Sequence, residues 1–185
     1  MPRDDESLAA DSLKEQGVRM FRLGEYEEAA ENFQKARELY QKLGDQKGQA
    51  EMLNNLGAVL TQEERWSEAA EAFEKAGQIF QALEDTDGRA QTLGNLGTMY
   101  RHQGENETAV IHLKQAIDLF HEAGDPQNEG ATLRLISRIR LGQARWLEAL
   151  HFYDLSLACV QPPGVKERLL RRLLQIPFSM LSRPS

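Results

Sequence analysis

Little in this chain points to chemistry. It has one cysteine, Cys159, among 185 residues, which excludes an intramolecular disulfide and a cysteine-based zinc site. No apolar run approaches the roughly 20 residues that cross a bilayer. The polar start, "MPRDDESLAADSLKEQG", lacks the apolar stretch of a signal peptide. A cytoplasmic, reducing setting is therefore expected, in which Asn106-Glu107-Thr108 is an accidental glycosylation sequon. The glycines come singly, so no Gly-rich phosphate loop is present. His102, His112, His121 and His151 show no HExxH or other metal spacing. Cys159 falls on the apolar side of a helix and reads as a small hydrophobe, not a nucleophile. The expectation is a non-enzyme with no cofactor and no metal.

What is present is the balance of a globular protein, with 41% hydrophobic and 28% charged residues. The net charge of −7 argues against nucleic acid, whose phosphates reward a basic surface. That charge is uneven, being +4 from Pro162 onward and −11 before it.

The chain repeats itself every 40 residues. Gly17, Gly57 and Gly97 form one column, with Ser137 as its fourth member. Ala29, Ala69, Ala109 and Ala149 form another, and Phe33, Phe73, Leu113 and Tyr153 a third. Turn signals recur in phase at Gly44-Asp45, Glu84-Asp85 and Gly124-Asp125. Within a unit the apolar spacing is helical, first at Leu53, Leu56 and Leu60, then at Trp66, Ala69, Phe73, Ala76 and Phe80. Each unit is thus a pair of antiparallel helices that must stack on its neighbours to bury both apolar sides.

Leu53-x-x-Leu56-Gly57-x-x-Leu60 followed by Ala69-x-x-x-Phe73 resembles the tetratricopeptide repeat, as does Leu93-x-x-Leu96-Gly97-x-x-Tyr100. Leucine stands where the family usually has tryptophan, and the usual terminal proline is missing. The 40-residue period is similar to that of kinesin light chains and Leu-Gly-Asn-repeat cell-polarity adaptors. Compared with the usual 34 residues it adds roughly 9 Å of helix per unit. The resemblance implies an all-α, right-handed α-solenoid of four helix-turn-helix units plus a C-terminal capping helix. The units are expected at about 7–43, 47–83, 87–123 and 127–161, as one solenoid over 1–161. Pro162 and Pro163 stop the last helix of the solenoid. Residues 162–185 are expected to form a basic amphipathic helix and tail, with Val165, Leu169, Leu170, Leu173, Leu174 and Ile176 along one side. Covering the open end of the last repeat is one role for it. Touching an acidic membrane surface or a partner is the other.

A helical wheel separates scaffold from free surface. With Leu53, Leu56 and Leu60 set toward the unit's own second helix, Val59, Met99 and Ile139 face the adjacent unit. The opposite arc carries Asn55 and Gln62, then Gln91, Asn95, Thr98 and His102 one period on, with Asn54, Arg101, Arg134 and Arg138 beside or following them. By the family resemblance this arc lines the concave groove where peptides usually bind. The arc is mixed in sign in the first unit, polar in the second and increasingly cationic beyond. An amide can grip a peptide backbone whatever the side chain, which suits Asn55 and Asn95; a bond inside the repeat or to water is the competing role. Arg101, Arg134 and Arg138 suit carboxylates or phosphates, or form an ordinary solvated face. Arg140 falls in the core column of Leu60 and Tyr100 and needs a partner or a path to water. With Ser137 in the glycine column, it points to looser packing in the fourth unit or a different contact with the helix that follows.

The function expected is a protein–protein interaction scaffold that binds a peptide or partner helix of acidic character in the concave groove. The alternative is an assembly or regulatory module acting through the end repeats and the basic C-terminal helix.

Overall fold

A computed structural model describes residues 2–159, with side chains from residue 5 onward. The capping helix expected over 162–185 lies outside the described residues. Eight helices follow one another, α1 (Pro2–Leu23), α2 (Tyr26–Leu43), α3 (Gln46–Gln62), α4 (Trp66–Ala82), α5 (Thr86–Gln103), α6 (Asn106–Ala123), α7 (Pro126–Gly142) and α8 (Trp146–Ala158). Each packs on the next, and α3 also touches α5 directly. The odd helices therefore form the inner layer and the even helices the outer layer of a right-handed all-α solenoid.

Local chemistry sets these boundaries. The second, third and fourth odd helices begin at an aspartate that caps free amides. Asp45 accepts from Gly48 N at 2.9 Å, and Asp85 accepts from Gly88 N at 2.8 Å. Asp125 accepts from Gln127 N and Asn128 N at 3.1 and 3.0 Å, with Pro126 opening the helix. The even helices lack a capping side chain, but carry glutamate in the first turn, such as Glu27, Glu68, Glu107 and Glu148. At the seven junctions between them an amide reaches back five residues, as from Glu25 N to Met20 O at 3.0 Å and Arg145 N to Arg140 O at 2.9 Å.

Inside each pair a glycine lets the helices close. A Cβ on Gly57 would stand 2.6 Å from the Phe73 ring, which is 1% exposed. In the fourth unit Ser137 takes this place, and its hydroxyl donates to the Ala149 carbonyl at 2.7 Å. A hydrogen bond thus ties the pair that the sequence suggested would be looser.

The leucine stripe meets its own second helix in part, Leu53 packing on Ala76 and Phe80 and Leu60 on Ala69 and Phe73, whereas Leu56 joins the cluster of α2. The buried seam of α3 is Ala50, Asn54, Gly57 and Thr61, whereas Leu53, Leu56 and Leu60 are only half-buried. The outer edges of all three leucines line the groove between α2 and α4. Val59 does meet the preceding unit, in a cluster with Ala29 and Phe33. Met99 and Ile139 repeat that contact one and two units later.

Candidate functional site: the inner groove and an outer cavity

On the inner face, α3, α5 and α7 line a cavity of about 470 Å3 that gathers Asn54, Asn55, Gln91, Asn95, Thr98 and Arg138. A second cavity of about 360 Å3 joins Arg101 to Arg138 and Leu135. Asn54 is a buried floor residue, 7% exposed, not a flanking one. Its side-chain oxygen accepts from Asn95 Nδ2 at 3.1 Å, an amide bridge between consecutive odd helices. The wheel missed this pairing because it treats each helix alone. Asn95 therefore has one amide proton committed, while Asn55 stays half-exposed beside it. Thr98 Oγ1 donates to the Gly94 carbonyl at 3.0 Å and Gln91 donates to Asp87 at 2.7 Å.

The remaining expected residues are placed differently. Arg101 donates from Nη2 to His102 Nε2 at 2.9 Å. Burial, and then the Arg101 charge, push the His102 pKa below its usual value, so the imidazole is an acceptor at neutral pH. Gln62 accepts from the Tyr26 hydroxyl of α2 at 3.4 Å and Arg134 leans toward Gly130 at the Cys159 end; neither lines the two inner cavities.

Charge changes sign along this face. At the α3–α5 end a cavity of about 160 Å3 holds Glu51, Asp85 and Asp87 against Lys47. Lys47 lies 2.7 Å from Asp85, and that bond holds the Asp85 carboxyl below its usual range. Lys14 is likewise engaged, 3.2 Å from Glu51. Toward α7, Arg101 and Arg138 are exposed, and no ion pair to either is seen among the described residues.

The outer face carries a larger cavity, about 710 Å3, between α2 and α4. Leu53, Leu56 and Leu60 floor it, with Gln34 on the α2 side and Ala72 on the α4 side. One period on, His112 stands where Ala72 was, stacked on Tyr100 with ring centroids 5.2 Å apart. Burial lowers the His112 pKa, and its buried Nδ1 makes no hydrogen bond. Two periods on, Phe152 takes the position, with Lys114 Nζ 5.7 Å above its ring. Beyond it a cavity of about 600 Å3 remains at the Cys159 end, lined by Ile117, Leu133 and Leu155.

Arg140 follows Leu60 and Tyr100 in one column, one unit on. Its side chain is 5% exposed and donates to Glu107 at 2.5 and 3.0 Å and to Gln143 at 2.7 Å. Its Nε lies 3.2 Å from Glu148, though not directed as a hydrogen bond. The charge that looked misplaced in sequence is thus paired at the groove's edge. The Arg140 bond holds the Glu107 pKa down to about 2.

Stacked helix pairs with a polar inner face define a helical-repeat scaffold. A family model described as the tetratricopeptide repeat matches residues 9–82 and again 88–161, so the chain belongs to the tetratricopeptide repeat family. Among solved structures it is similar to the aspartyl phosphate phosphatase F of Bacillus subtilis, with a TM-score of 0.79, 16% identity, and 95% of this chain on 47% of that one. BtubC of P. vanneervenii matches at 0.63 and 19% identity, over 97% of this chain and 67% of that one. The apo form of RapI matches at 0.69 and 14%, over 95% and 54%. At these identities the likeness shows the fold, and the chain spans about half the length of the first and third structures. No curated protein matches. Among the described residues no helix is long and apolar enough to cross a membrane.

Proposed function

We propose that this chain acts without catalysis, holding an acidic peptide or partner helix along its inner groove. The observation behind this reading is the joined run of Asn55, Gln91, Asn95 and Arg138, with Arg101 at its cationic end. Amide side chains offer both donors and acceptors to a main chain. The two arginines, in no ion pair with a carboxylate among the described residues, supply charge-assisted bonds to acidic side chains. The sign change along the face then orients the ligand, its acidic end toward α7. One structural neighbour is named a phosphatase. Here Thr98 Oγ1 is already tied to its own helix, and the described residues that line the cavity with it include no His, Asp or Glu.

The test is fluorescence anisotropy of an acidic peptide library on the wild-type chain, on Arg101→Glu/Arg138→Glu and on Asn55→Ala. The arginine double variant is expected to lose about tenfold or more in affinity, and Asn55→Ala less. Equal affinity in all three would overturn the reading.

The assembly alternative has its own observation, since Trp146 and Leu147 at the last unit are 62% and 52% exposed. Light scattering of the wild type and Trp146→Glu separates the two. A concentration-dependent oligomer lost in the variant favours assembly, and a monomer throughout removes it.

A further inference from the structure

We propose that the outer cavity between α2 and α4 is a docking site for an aromatic side chain presented by a basic segment of a protein partner. It lies on the face opposite the inner groove and stands independently of the reading above. The protein's own repeats show what the cavity accepts. In the second inter-unit groove an imidazole from position 112 lies flat on Tyr100. In the third a phenyl ring from position 152 packs on the Ile136 and Ile139 cluster. That ring meets Lys114 across the groove, and Gln34, two periods before Lys114, lines the first cavity opposite Ala72. The three grooves are therefore equivalent in register, and only the first lacks its ring.

The void left by Ala72 is floored by Leu53, Leu56 and Leu60, which gain contact and lose water when a ring is buried on them. Its volume of about 710 Å3 suits a side chain with its flanking backbone. The rim decides the charge of the partner. Five carboxylates face three cations around the opening, and Lys35 pairs one of the five, Glu31, at 3.1 Å, which leaves an excess of one negative charge. Arg65 is already closed by Glu63 at 3.0 Å and Glu68 at 2.6 Å, and Lys75 by Glu71 at 2.5 Å. The rim thus favours a lysine or arginine beside the incoming ring, over which Gln34 takes the position that Lys114 holds over Phe152.

The test uses methyl NMR of the full chain titrated with acetyl-Lys-Ala-Phe-Lys-amide, and with the same peptide carrying alanine for phenylalanine. The phenylalanine peptide is expected to shift the Leu53, Leu56, Leu60 and Ala72 methyls saturably, with the alanine peptide weaker by about tenfold or more. Ala72→Phe and Ala72→His place the rings of the other two grooves, and both are expected to abolish the shifts. The second variant keeps the test alive should the first not fold. Equal shifts from both peptides, no saturable shift, or binding retained in either folded variant overturns the proposal. A change in the Ala72 methyl on Phe178→Ala without peptide would assign the cavity to the chain's own tail, and would overturn it as well.

Discussion

Between α2 and α4 the outer surface holds a cavity floored by leucine. Between α6 and α8, eighty residues later, a phenyl ring fills the same place beneath Lys114. The helices and loops of the two regions follow one template, with Ser137 standing where Gly57 was, so the difference rests on side chains at a few columns. Where Ala72 gives way to Phe152, surface becomes core. Where Leu60 gives way to Arg140, an apolar floor becomes an ion cluster with Glu107 and Glu148. A repeat protein can thus keep its framework constant and vary its surface one column at a time.

The comparison can be broken most directly at the filled groove. Phe152→Ala is expected to cost about 3 kcal/mol, near the low end for a phenylalanine because the ring is only half-buried. Urea denaturation measures it, and a loss below that of an average surface substitution would mean that the ring is not part of the core. The two regions share a strained loop as well, since Ala144 holds φ at 57° in the last pair as Glu64 holds it at 58° eighty residues earlier. Ala144→Gly should gain about 1 kcal/mol by relieving a left-handed residue that carries a Cβ, read as a higher melting temperature.

Smaller effects depend on pH. Glu107 has its pKa lowered from 4.5 to about 2 in the folded chain. Its stabilisation is complete above 4.5 and is lost as pH falls toward 2, because the unfolded chain takes the proton first. Glu107→Gln is expected to flatten that limb of a stability–pH curve, leaving the open groove's region unaffected. His112 lies below its usual 6.5 because burial disfavours the imidazolium. Stability should therefore decline as pH drops through 6.5, and His112→Phe, which copies position 152, should shrink the decline to the share that His102, also held below 6.5, contributes. A pH profile unchanged in that variant would show that His112 is not the titrating group.

Much of the architecture was readable from spacing alone. The 40-residue columns predict the stacked pairs, and Asp45, Asp85 and Asp125 stand at helix starts because each pays for unsatisfied amides there. The wheel also placed Gln91, Asn95, Thr98 and Arg138 on one face, and they line one cavity. It failed where two helices decide together. Asn54 is buried because α5 crosses close enough for Asn95 to reach it, and a crossing angle leaves no mark on a single helix. The leucines at 53 and 60 do meet the unit's second helix, but all three stay half-buried because a groove opens between α2 and α4, which a single helix cannot show. The outer cavity did have a signal, in the order Ala72, His112, Phe152. It becomes legible only once the column is known to face a groove.

The left-handed loop residues set a second, longer rhythm. Glycine stands at 24, 44, 104 and 124, whereas Glu64, Glu84 and Ala144 fill the corresponding places between and after them. The helices recur every 40 residues, but the loops recur in kind only every 80. Excising one unit would join loops of unlike kind, while excising two would restore the original alternation. A shortened chain should therefore melt more cooperatively when it loses units in pairs, which a thermal scan of the one-unit and two-unit deletions would reveal.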